Sequence, residues 1–369
     1  MEYDVLIVGG GLAGLVNANL LAQAGLKVGL VEKNEYPFHR VCGEYVSNET
    51  LPFLQSIGFN PFDYGAVAIK YFWLTSPRGS ELKMSLDMGG FGLSRYVFDE
   101  ALYQLALQKG THFLLKTNVL NIRKENEIFI CQTSTKGEIK AKMLIAAHGK
   151  RANLDKERAF FKQRSPYIGV KYHLQTDFPE DWIALHNFKD GYCGISRIEN
   201  GKYCLCYLTT RENLKECGTI EEMQDKILKQ NHFLKEILEK ATFLYDAPKV
   251  INEISFAPKT LIENDLLMCG DSAGMIAPLC GNGMAMAIHS AKILSNLLIQ
   301  YFDKQVDKLT LFAKYQSEWN THFKFRLALG RTVQRFFGSP LLTEAMVRFF
   351  KNSSFLARQL VKQTHGEVF

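Results

Sequence analysis

The run Gly9-Gly10-Gly11-Leu12-Ala13-Gly14 constrains this chain more than any other feature. It follows Val5-Leu6-Ile7-Val8, a short unbroken apolar stretch of the kind a parallel strand buried on both faces requires. A helical stretch then runs to Ala24, and Gly25 ends it as a C-cap would. Residues 27–32 read as the second strand. Glycines at 9, 11 and 14 meet three needs at once: a tight turn, close approach of the backbone to a pyrophosphate, and close packing of helix on strand. The helix N-terminus adds free N–H groups and the positive end of its dipole. Glu32 closes the second strand 18 residues beyond Gly14, where a carboxylate can accept from a ribose 2′-hydroxyl. The chain therefore starts as a dinucleotide-binding unit. The turn alone does not separate NAD from FAD.

The rest of the chain alternates in kind. A helix is predicted around 98–109, strands at 112–115, 119–123 and 128–133, and a buried-type strand at 143–147. Between 167 and 209 short alternating segments dominate (167–174, 182–188, 192–198 and 203–208), with turn signals at Lys189-Asp190-Gly191 and Glu199-Asn200-Gly201. That pattern predicts an antiparallel meander. Two helices follow between 220 and 241, strands return at 250–256 and 266–269, and the remainder reads as helical. At 47% hydrophobic and 22% charged residues, disorder, collagen and coiled coil are excluded as whole-chain readings. No run reaches the roughly 18 apolar residues of a membrane span. The first strand starts within four residues of Met1, so no signal peptide is expected. The eight cysteines include no CxxC pair, which points to reduced thiols in the cytoplasm and to no metal site.

A second motif bears on the choice of dinucleotide. Leu266-Leu267-Met268-Cys269-Gly270-Asp271 is a buried strand ending in Gly-Asp; it runs through Pro278-Leu279-Cys280-Gly281-Asn282-Gly283 into a long apolar helix from Met284. Here the sequence resembles the FAD-dependent oxidoreductases of the para-hydroxybenzoate hydroxylase type. Arg40-Val41-Cys42-Gly43-Glu44 and Arg95-Tyr96-Val97-Phe98-Asp99 narrow the resemblance to the geranylgeranyl reductase family. It implies FAD as cofactor and Asp271 on its ribityl chain. The Gly281–Met284 helix start would face the pyrimidine edge of the flavin, stabilising negative charge there. Cys42 and Gly43 would run beside the flavin ring, and Arg40 and Arg95 would contact the cofactor. With the turn residues, the cofactor set becomes Gly9, Gly11, Leu12, Ala13, Gly14, Glu32, Lys33, Arg40, Cys42, Gly43, Arg95, Gly270, Asp271, Gly281, Asn282, Gly283 and Met284. The implied fold is α/β (α+β overall), a Rossmann-type FAD-binding domain (1–65, 90–160, 250–300) interrupted by an antiparallel-sheet substrate domain (66–89, 161–249). Basic helices at 301–369 form the C-terminal tail.

Two departures qualify the resemblance. His148 stands where hydroxylases carry an aspartate, and Ala152 where they carry a serine, which sets NAD(P)H in doubt as direct electron donor. Tyr192-Cys193-Gly194-Ile195-Ser196-Arg197 keeps only the tyrosine of the reductases' lipid-pocket strand. No Trp-x-Trp-x-Ile-Pro run is present, which counts against a tryptophan-halogenase-like role. The expected function is therefore FAD-dependent oxidation–reduction of an apolar small molecule, aromatic, lipid-like or polyketide-like. It would proceed by hydride transfer through flavin N5 or by oxygen activation at C4a. A flavin-using cyclase or isomerase without net redox turnover, and a peripheral membrane flavoprotein, stay open beside it. Tyr172, Trp182, Phe188, Tyr192, Tyr203 and Tyr207 are candidate pocket walls, fewer than half of which should touch substrate. Cys42, Tyr192 and His173 are the candidate catalytic residues, with His186 a further acid–base candidate.

The charge is unevenly placed. Residues 320–369 hold eight basic side chains against Glu344 and Glu367, so the whole net charge of +6 resides there. Phe336, Phe337, Leu341, Leu342, Phe349, Phe350, Phe355 and Leu356 interleave with it. The pattern suits a peripheral membrane helix, an anionic partner, or amphipathic helices packed on their own domain. No nucleic-acid-binding motif accompanies it, so nucleic acid is not expected as a partner.

Overall fold

The computed structural model describes residues 1–335 and 339–369. Its first sheet is built on five parallel strands in the order Leu266–Met268, Gly137–Ala146, Glu2–Val8, Val28–Val31, His112–Leu114. Val5, Leu6 and Ile7 are fully buried, as the unbroken apolar run requires. The hairpin of Val119–Glu125 and Ile128–Thr133 extends this sheet antiparallel along Gly137–Ala146. Helices Leu12–Gln23, Arg95–Gln108, Gly283–Phe302 and Lys308–Gln334 share the large core cluster beside it.

The second sheet runs Thr242–Phe243, Tyr167–Gln175, Tyr203–Thr210, Gly191–Arg197, Trp182–Phe188, Val67–Thr75, Glu81–Gly92, Tyr45–Ser47. It is antiparallel except where Trp182–Phe188 lies parallel to Val67–Thr75, with Trp182 opposite Tyr71. The predicted strand at 250–256 is shorter, Lys249–Asn252, and belongs to this second sheet, where Ile251 pairs with Gly169. Glu253, at φ +58°, turns the chain out of it, and the return to the first sheet waits until Ile262–Glu263 and Leu266–Met268. Arg211–Cys217, capped by the Thr210 side chain, is a helix not expected from the sequence, and the two expected between 220 and 241 follow it as Ile220–Lys226, capped by Thr219, and His232–Lys240. Residues of the latter two, Met223, Leu234, Ile237 and Leu238, cover one face of the sheet.

The opposite face meets the C-terminal tail. Val347 of helix Pro340–Asn352 and Ala357 of helix Ser354–Thr364 pack with Leu74, Leu82, Leu185, Tyr192 and Leu208. The chain end then folds back: the Phe369 N–H donates to the Glu49 carbonyl (3.3 Å), and its ring stacks on His289 at 3.9 Å. Phe336 and Phe337 lie outside the described residues. Among the described residues, no helix is long and apolar enough to cross a membrane, and all eight cysteines are unpaired.

Candidate functional site

The C-terminal ends of the parallel strands open on a cavity of about 1380 Å³ that extends to the inner face of the second sheet. The glycine turn forms one end of it. Gly9 has φ +106°, and a Cβ there would lie 2.4 Å from the Ala147 carbonyl oxygen. A Cβ on Gly14 would lie 2.0 Å from the Gly9 carbonyl oxygen, so this glycine serves helix–strand packing. Gly11 differs, since a Cβ there meets nothing nearer than Arg95 Nη2 at 3.7 Å. It is also the N-cap of Leu12–Gln23 and offers no side-chain oxygen, so the first-turn N–H groups stay available to an anion. Gly11→Ala is expected to leave the melting temperature of the apoprotein unchanged and weaken FAD about tenfold. Gly14→Ala is expected to destabilise the apoprotein itself by about 1–3 kcal/mol. Thermal melts and flavin titration separate the two, and wild-type FAD affinity in Gly11→Ala would remove the turn from the cofactor site.

Beyond the turn a chain of charged groups lines the wall. Glu32 Oε2 accepts from the Gly10 N–H (2.8 Å) and from Arg40 (3.3 Å). Arg40 also reaches Asp99 at 2.9 Å, and Arg95 holds both Asp99 oxygens at 2.6 and 2.8 Å. One buried carboxylate thus orients two guanidinium groups at the cavity. Lys33 stands exposed at the rim.

The Cys42–Gly43 segment is fixed from behind. Glu44, fully buried at φ +57°, accepts from Lys171 Nζ (2.5 Å) and the Arg95 N–H (2.7 Å), and pairs with His173 Nε2 (2.6 Å). Lys171 also donates to the Arg40 carbonyl (3.0 Å), and the Cys204 thiol to the Cys42 carbonyl (3.3 Å). Burial pushes the Glu44 carboxyl up, but the Lys171 charge and the His173 bond outweigh it and hold it at about 2. Against its own burial, the partnership with Glu44 raises the Lys171 pKa and keeps the ammonium charged. Glu44, His173 and Cys204 have the makings of a metal site, within 4.8 Å of one another, but the Lys171 ammonium already occupies the carboxylate. Neither Glu44 nor Lys171 was singled out from sequence. The signal was a lysine inside the otherwise apolar strand Tyr167–Gln175, and the glutamate that directly follows Cys42-Gly43.

The far wall tests the fit of FAD. Asp271 lies at the cavity wall, and its carboxylate has no hydrogen-bond partner among the described residues; burial pushes its pKa up. Hydroxyl donors of a ribityl chain would meet that need. The helix Gly283–Phe302 likewise starts without a side-chain cap, leaving N–H groups free beside Gly281, Gly283 and Met284 in the wall. An acceptor awaiting donors, and two uncapped helix starts, fit the cofactor.

Most of the residues expected from sequence thus share one cavity: Gly9, Gly11, Leu12, Ala13, Glu32, Lys33, Arg40, Cys42, Gly43, Arg95, Gly270, Asp271, Gly281, Gly283, Met284 and Tyr192 all line it. Gly14 and Asn282 do not; the Asn282 amide instead donates to the Thr364 carbonyl at 2.9 Å. His173 lies behind the wall on Glu44. Strand alternation decides the remainder. Ile183 and Leu185 face the cavity, which turns His186 away to Thr75, Trp73 and Phe233, where burial pushes it down to about 3. Tyr172, Trp182, Phe188 and Tyr203 belong to the cluster on the sheet's opposite face. Tyr207 touches the wall, but its hydroxyl bonds Gln224 on that opposite side. His148 reaches the cavity with Nε2 held by Asp155 at 3.0 Å, while Lys150 lies beside it with burial lowering its pKa to about 8.

Residues 2–323 match the family described as an FAD binding domain. A digeranylgeranylglycerophospholipid reductase of Methanococcus vannielii is 24% identical over 334 residues, covering 88% of this chain and 84% of the relative. Among solved structures, a geranylgeranyl bacteriochlorophyll reductase-like protein from Thermoplasma acidophilum superimposes with TM-score 0.79 at 18% identity, covering 98% of this chain and 95% of that one. A flavin-dependent brominase reaches TM-score 0.80 at 16% identity, covering 99% and 93%. The dinucleotide turn, the carboxylate that lacks a donor and a family match running over most of the chain converge: this chain belongs to the FAD-binding domain family and is an FAD-dependent oxidoreductase.

Proposed function

We propose that this enzyme reduces a carbon–carbon double bond in an extended, lipid-like substrate. The observation that carries the reading is the composition of the cavity away from the glycine turn. Phe72, Leu86, Ile183, Leu185, Leu208, Ile251, Ile254, Met275 and Leu279 make an apolar wall, and Val361 of the tail adds to it. Such a wall suits an apolar chain rather than a charged metabolite. The lipid reductases among the relatives support the same class of substrate. When bound, FAD supplies the hydride through N5. The proposed cofactor residues are those brought together on the cavity wall, with the parallel sheet as their unit and the second sheet as the substrate unit. Cys42 and Tyr192, both in the cavity wall, are the proposed proton donors. Burial raises the Cys42 thiol pKa, and burial raises that of the Tyr192 hydroxyl further still. Either can give a proton to the carbon opposite the one that takes the hydride, and Cys42 adjoins the Gly43 backbone. His173, committed to Glu44 behind the wall, is not given this role.

NAD(P)H is the proposed source of electrons; the test uses dithionite, so that its outcome does not depend on the donor. Holoprotein reduced without oxygen is mixed with an unsaturated prenyl ether lipid in detergent. The expected result is reoxidation of the flavin with one saturated bond formed per flavin. Product that forms only when oxygen is admitted would replace this reading with a monooxygenase. Rearranged product without reoxidation would replace it with a cyclase.

A further inference from the structure

The tail has an outer face that the fold does not use. On helix Pro340–Asn352, Val347 is fully buried, and the Glu344 carboxylate turns inward to the hydroxyls of Ser76 and Ser80. The other side carries Leu341, Leu342 and Phe349 at 63, 49 and 55% exposure. Their spacing places them within one helix face. The next helix continues the patch with Phe355 at 68% and Leu356 at 45%. Lys351, Arg358 and Lys362, all exposed, flank these side chains, and exposed Arg348 pairs at 2.6 Å with Glu344, the sole acid of the two helices. A single exposed leucine is ordinary, but five large apolar side chains on consecutive helices, ringed by cations, mark an interaction surface. A second copy of the same patch would bring like charges together. An anionic surface would meet both its charge and its apolar groups.

We propose that helices Pro340–Asn352 and Ser354–Thr364 dock the protein on an anionic lipid bilayer. Phe349, Phe355 and the leucines enter at headgroup depth, while the basic side chains pair with lipid phosphates. The inference rests on the reading of the cavity as the site of a lipid-like substrate and gives that substrate a source. Val361, Thr364 and His365 of the same tail line the cavity, which sets it about one helix diameter, roughly 10 Å, from the membrane.

The test sediments holoprotein with phosphatidylcholine vesicles, with and without phosphatidylglycerol. Wild type is expected to pellet with the anionic vesicles and to bind neutral ones at least about tenfold more weakly. Phe349→Ser/Phe355→Ser and Lys351→Glu/Arg358→Glu should each weaken anionic binding about tenfold at unchanged flavin content. Wild type left in the supernatant, or variants that pellet as it does, would overturn the proposal. So would light scattering that shows a wild-type dimer abolished by the serine variant, since the occupant would then be a second copy. Oxidation of reduced flavin by detergent-solubilised lipid, followed in the same variants, reports on the cavity separately.

Discussion

Asp271→Ala is expected to lower FAD affinity by about 100-fold or more. The variant removes an ionised acceptor whose bonds to hydroxyl donors are worth about 1.5–3 kcal/mol each. The apoprotein should respond in the opposite sense. Burial holds the Asp271 pKa above its ordinary value, so in the empty site the ionised carboxylate opposes folding. That penalty is absent below the unfolded-state pKa and grows as pH rises through the folded one. At neutral pH the alanine apoprotein should therefore melt no lower than wild type. Fluorescence titration of apoprotein with FAD and thermal melts without it check the two halves. Wild-type FAD affinity in the variant would remove this carboxylate from the cofactor site. Asp271→Asn, which keeps an acceptor without the charge, should fall between.

Lys171→Met is expected to cost about 3–5 kcal/mol of stability, the usual consequence of stranding a buried charge by deleting its partner. Glu44 is then left with the His173 ring and the Arg95 backbone N–H, and without the lysine ammonium, in a site closed to water. Urea denaturation measures the loss, and the double variant Lys171→Met/Glu44→Gln should recover part of it. The pair also fixes how stability responds to acid. Glu44 titrates at about 2 in the folded protein against an ordinary 4.5. As pH falls below 4.5 the unfolded chain takes up this proton first, so the contribution is complete above 4.5 and gone by about 2. Glu44→Gln should lack that part of the acid slope; an unchanged slope would show that the carboxylate is not held low. Because the same ion pair backs the Cys42–Gly43 segment, the Lys171 variant should also bind FAD more weakly than its stability loss alone dictates.

These two predictions differ in how far the sequence alone leads to them. Asp271 was legible because the features around it are contiguous: an apolar strand, Gly-Asp, a glycine turn and a long apolar helix. The same holds for the first turn and Glu32. Local patterns of this kind survive without knowledge of what packs on them, since strand, turn and helix each follow from spacing over a few residues. The family resemblance rests on the same contiguous runs, which is why the parallel core, the cofactor and the oxidoreductase class could be read early.

Glu44, Lys171 and His173 form a unit across 127 and 129 residues of sequence, and only the closing of the second sheet over the Cys42 segment brings them together. Face selection is the other decision that spacing leaves open. Alternation showed that Trp182–Phe188 has two faces, but not that Ile183 and Leu185 would take the cavity and His186 the helical side; that depends on which layer packs where. The tail makes the same point. Its charge and its phenylalanines were plain in the sequence, yet an amphipathic helix can hide or present either face. The contact of Val347 with the sheet decided which side of Pro340–Asn352 stays in water. Sequence thus determined the cofactor-binding architecture, because it is written in short-range periodicity. The tertiary structure decided the buried ion pair, the cavity wall and the exposed basic face, because burial is a property of layers brought together from distant parts of the chain.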